Sequence, residues 1–140
     1  MDEHELHELL TTLVPSDVIE MEADLFDNAI GFRLEREEDD FRWCPVTFGG
    51  VWAFAYVSND SKSVSSLDAD LPRYSRLRSF RFAREGFGSF HEFLPAYSER
   101  RSVASANFLL EFDTVQLLVE ATTLTVRGHT FQTDYPVLLN

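Results

Sequence analysis

The sequence predicts an α+β fold: an N-terminal helix and a short central helix packed on a mainly antiparallel meander sheet of about seven to eight strands. Three observations carry the prediction. Leu6, Leu9, Leu10 and Leu13 recur at the spacing of one helical face. Several later stretches alternate apolar and polar residues around short turns containing Asp, Asn or Gly, the mark of antiparallel hairpins. At 44% hydrophobic and 14% aromatic, with 13 Phe, the 140 residues can fill a core, which suits one domain over 1–140.

The helix is expected over residues 3–14 and stopped by Pro15, because the residue before a proline avoids the helical region. Asp27-Asn28, read as a two-residue turn, pairs Phe26 with Ala29. Leu25, Ala23 and Met21 then oppose Ile30, Phe32 and Leu34 on one apolar side. Asp24, Glu22 and Glu20 oppose Gly31, Arg33 and Glu35 on the other, so one register sorts both strands.

A second hairpin is expected around Gly49-Gly50, placing Trp43, Pro45 and Thr47 opposite Tyr56, Phe54 and Trp52. Its reverse face (Val46, Phe48, Val51, Ala53 and Ala55) is apolar too, so the ribbon is expected to be covered on both sides. Residues 58–72, rich in Ser and Asp, read as a loop, and residues 78–83 as a weakly patterned strand. Ser89 to Glu92 has capping-box spacing, and Pro95 suits the first turn of a short helix over 95–104. A turn at Asp113-Thr114 pairs Phe112, Leu110 and Phe108 with Val115, Leu117 and Val119. Leu124 and Val126 continue the apolar alternation, and Gly128 ends it.

Charge is segregated along the chain. Residues 1–40 hold 14 acids and two bases, which accounts for the whole net charge of −12; the other hundred residues hold ten of each. The acidic start has the wrong sign for a targeting segment, and no apolar run approaches the roughly 20 residues that span a bilayer. A lone Cys44 cannot form an internal disulfide. A cytoplasmic protein with no membrane contact is expected.

No catalytic motif is legible. His4 and His7 stand three apart with Glu8 where a zinc helix would need its second histidine, so the metal motif fails by one residue. Cys44, His91 and His129 could be drawn as nucleophile and base, but Cys44 falls in an apolar strand where cysteine behaves as a small hydrophobe. A phosphate loop, a nucleophile elbow and a Cys-x-x-Cys pair are all lacking. The expectation is a protein that is not an enzyme and has no metal or cofactor.

Three constellations could meet a partner. Arg73, Arg76, Arg78, Arg81 and Arg84 interleave with aromatics, as nucleic-acid binders do, yet a net charge of −12 opposes approach to a polyanion. These arginines better suit the chain's own acids, or those of a second copy in a homodimer. Trp43, Trp52, Phe54 and Tyr56 could line a pocket, which makes a small-ligand-binding domain the alternative function. The leading expectation rests on Glu20, Glu22, Asp24, Glu35, Glu37, Glu38, Asp39 and Asp40. So concentrated an acidic region fits an immunity or antitoxin-like module that masks a basic protein, such as a nuclease toxin.

Overall fold

Helix α1 (Glu3–Thr12) begins where Asp2 caps it, its carboxylate accepting a hydrogen bond from the Glu5 amide at 2.8 Å. Leu6, Leu10 and Leu13 are buried and Leu9 packs beside them, the apolar face that the leucine spacing predicts. The computed structural model describes residues 1–24, 26–36, 44–58, 64–65, 74–87 and 106–133. The central helix expected over 95–104 lies outside the described residues.

Eight strands follow among the described residues: β1 (Ser16–Asp24), β2 (Ala29–Glu35), β3 (Cys44–Ser58), β4 (Val64–Ser65), β5 (Tyr74–Phe82), β6 (Phe108–Phe112), β7 (Val115–Val126) and β8 (His129–Gln132). Every pairing between them is antiparallel. The chain is therefore α+β, with one N-terminal helix on an antiparallel sheet. Its strands form two meanders, β1-β2-β3-β4 and β5-β6-β7-β8, joined at β1–β5 and again at β3–β7. Six strands thus close into a ring, with β4 and β8 as short spurs.

The interior is aromatic. Phe32, Phe48, Phe80, Phe82, Phe108 and Phe131 are buried and meet in tilted or edge-on pairs, the closest being Phe48 and Phe108 with ring centroids 5.0 Å apart. Leu6, Leu10 and Leu13 of α1 join this cluster. A second, smaller cluster of Ala55, Val57, Ala106, Leu109 and Leu118 lies on the other side of β3, β6 and β7, with Phe87 packed against it. Both faces of that part of the wall are therefore buried.

The β6–β7 hairpin has the expected register residue for residue, from Phe108 opposite Val119 to Leu110 opposite Leu117. The β1–β2 register differs. Asp24 opposes Ala29, two residues from the expected pairing, and the described turn takes in residues 26–28. A bulge between Ile19 and Glu22, with Glu20 at φ 55°, then shifts the lower half by one more residue. Glu35 consequently opposes Asp17, not Glu20.

The Gly49-Gly50 hairpin is overturned. β3 runs straight through both glycines as one strand of 15 residues and makes eleven registered pairs with β7. Glycine is needed here for close approach: a Cβ on Gly49 would stand 2.5 Å from Thr123 Oγ1, and one on Gly50 2.5 Å from Thr122 Oγ1. Gly50 also sits at φ 57°, a conformation that side chains oppose. The same two residues that signal a turn here let two long strands touch. Trp52 and Phe54 are therefore not paired across a ribbon with Thr47 and Pro45, whose partners are Gly31 and Arg33 of β2.

Candidate functional site

The outer face of β1 and β2 carries the acids because alternation leaves it no choice. Val18, Ile30, Phe32 and Leu34 point inward and are buried, so Asp17, Glu22 and Asp24 face outward and are exposed. The bulge brings Glu20 to this face, where Oε1 lies 2.6 Å from Arg33 Nη2. Glu20, Glu22, Asp24, Ala29, Gly31, Arg33 and Thr47 line an open groove of about 280 Å³, together with parts of Phe32 and Val46. Gly31 opens its floor, since no side chain stands between Glu22 on one side and Thr47 on the other.

The other predicted acids divide. Glu35 lies at the far end of β2, half-buried and opposite Asp17. Glu37, Glu38, Asp39 and Asp40 lie outside the described residues. Asp24 serves its own turn, accepting from the Phe26 and Asp27 amides at 3.0 and 3.2 Å. Glu22 has no ion-pair partner among the described residues.

Basic side chains on β5 and just beyond it are matched from within the chain. Arg76 lies 3.5 Å from Asp17, its register partner on β1. Arg78, at the bulge between Leu77 and Ser79, donates from Nε to Asp113 at 2.6 Å, which raises its pKa further. Arg81 donates to Glu111 at 2.7 Å and Arg84 to Glu3 at 2.8 Å, the latter tying α1 to the end of β5. Arg73 lies outside the described residues. Four predicted basic residues therefore meet carboxylates of their own chain.

A family model for YxiG-like proteins matches residues 6–131, from buried Leu6 to buried Phe131. The chain belongs to the YxiG-like family. Neither curated proteins nor solved structures give a match. The matched span takes in every strand of the ring.

The described members of the aromatic set differ in exposure. Trp43 lies outside the described residues. Phe54 and Tyr56 are half-buried against the main core, and burial raises the Tyr56 phenol pKa. Trp52 stays 60% exposed with its indole N–H directed to Thr122 Oγ1 at 3.3 Å. Phe54, Tyr56 and Trp52 are not among the described residues that line the acidic groove.

The reactive-group candidates are equally separate. Cys44 is buried, which pushes its thiol pKa up against the lowering influence of Arg127, so the thiolate a nucleophile needs is disfavoured. His4 and His7 each face a glutamate one turn away on α1, Glu8 at 3.1 Å and Glu3 at 3.9 Å. His129 is exposed on β8, and His91 lies outside the described residues. No group of three metal-ligating side chains assembles among the described residues, and no described helix is long and apolar enough to cross a membrane.

Sequence reasoning missed two residues of this face. The sequence pattern gives Gly31 only a place opposite Asp24, yet it opens the groove. The same pattern puts Phe26 in a strand beside the turn, and it stands 99% exposed at the tip. An aromatic set among Asp24, Asp27 and Asn28 was the available signal.

Proposed function

We propose that the chain is a non-enzymatic, acidic protein-binding module, immunity or antitoxin-like and cytoplasmic, that masks the basic surface of a partner such as a nuclease toxin. One observation carries this reading. Glu22 and Asp24, which have no ion pair among the described residues, gather with the Arg33-paired Glu20 around an open groove, whereas the described arginines of the basic segment are matched by acids of the same chain. Glu22 and Asp24 thereby leave negative charge on this face, and Glu35, Glu37, Glu38, Asp39 and Asp40 complete the proposed acidic set.

The mechanism is steric and electrostatic blockade. A field concentrated on one face steers a basic partner into encounter, and the covered surface is then closed to its own substrate. The test is a pull-down from native lysate at low and high salt, followed by stopped-flow association with the captured protein. Changing Glu22, Asp24, Glu37, Glu38, Asp39 and Asp40 to Lys should slow association by about tenfold or more, with a steep salt dependence in the unmodified chain. On-rates unchanged between about 50 and 300 mM salt would sink the reading.

A further inference from the structure

Large apolar side chains are exposed at three described positions, Met1, Phe26 and Trp52. The last two stand on segments that a backbone hydrogen bond joins. Phe26 occupies the β1–β2 turn, whose shape is held by the Asp24 carboxylate and by Asn28 at φ 51°. Neither device needs an aromatic ring at position 26. Trp52 lies at the bulge of β3, between the Val51 and Ala53 pairs with β7. The Val51 amide donates to the Asn28 carbonyl at 2.7 Å, which fastens the bulge to the turn.

Trp52 is also held before any partner arrives. Its indole N–H donates to the Thr122 hydroxyl, which in turn donates to the Gly50 carbonyl at 3.1 Å. A ring fixed in this way loses little freedom on binding. Bulges commonly re-aim a side chain next to a functional site, and exposed Trp and Phe are the residue types that anchor interfaces. The hairpin that carries Phe26 also carries the exposed carboxylates Glu22, Asp24 and Asp27.

We propose that Phe26 and Trp52 anchor a docking surface for an arginine-bearing segment of a basic protein, with guanidinium stacked on the indole and flanked by these carboxylates. This rests on the acidic-capture reading and names the chemistry its partner presents. Carboxylates alone would accept lysine as readily. The aromatic faces set the preference, because guanidinium is planar, weakly hydrated and favoured over a π-face.

The test is a titration of the full ¹⁵N-labelled chain with a hexa-arginine amide and a hexa-lysine amide, following amide and indole N–H signals by NMR. Trp52→Phe identifies the indole signal. Saturable movement of the Trp52 indole together with Glu22 and Asp24 is expected, with the lysine peptide about threefold weaker or more. Phe26→Ser should weaken arginine-peptide binding by a similar factor while leaving the spectrum of the free chain dispersed. Movement of Glu22 and Asp24 with a fixed indole, or equal affinity for both peptides, overturns the aromatic anchor and leaves acidic capture standing. Movement of the indole alone supports the anchor and overturns acidic capture; no movement at any of them overturns both.

Discussion

The two hairpins β1–β2 and β6–β7 are built from similar lengths of chain and sit in the same ring, yet they do opposite jobs. β6–β7 is buried on nearly every residue, closed by a tight turn at Asp113-Thr114 and free of bulges within its pairing. β1–β2 buries one face only, carries a bulge at Glu20 and ends in a turn that leaves Phe26 in solvent. A hairpin covered on both sides has every position committed to packing. One with a free face can hold residues for which folding has no use, and that is where the acids and the exposed Phe26 are found.

The contrast can be broken by mutation. The largest effect is expected in β6: Phe108→Ala should lose about 3–5 kcal/mol of stability by denaturant titration, since the ring is fully buried against Phe48, Phe80 and Phe82. Asn107→Ala comes next. Its amide both donates to the Ala121 carbonyl at 2.9 Å and accepts from the Ala121 amide at 3.0 Å in a fully buried position. Removing it takes both side-chain bonds from Ala121, whose carbonyl keeps the Thr133 hydroxyl as a donor, and should cost about 1–3 kcal/mol in the same titration. The smallest effects belong to the open hairpin, where Glu22→Lys and Phe26→Ser should each change stability by less than about 0.5 kcal/mol. A loss of several kcal/mol at either would show that this face is structural and would dissolve the contrast.

The same difference governs what could be read from the sequence. The β6–β7 register was legible because a two-residue turn and unbroken alternation leave one solution. In β1–β2 the inward set was mostly right, since a two-residue slip keeps each side chain on its face, but the bulge at Glu20 has no pattern in the sequence. That bulge replaced the expected Glu20–Glu35 clash with a Glu20–Arg33 ion pair. Gly49-Gly50 misled because glycine serves both tight turns and close strand approach, and only β7, some seventy residues later, decides between them. Acidic residues of the candidate face could be named from charge alone. Phe26 and Gly31 could not, because exposure and an open groove floor are properties of the folded sheet.

Closure of the ring through β3 and β7 has a consequence for the order in which the protein can be made. The first meander leaves synthesis with two strands still waiting for neighbours: β1, which pairs with β5, and β3, which pairs with β7. Bonds between residues 46–58 and 115–126 cannot form until the second meander has followed. Pairing over such a span makes for slow folding and for a nascent chain with open edges. The two meanders are also natural halves: separately produced, each would offer the edges that the other lacks.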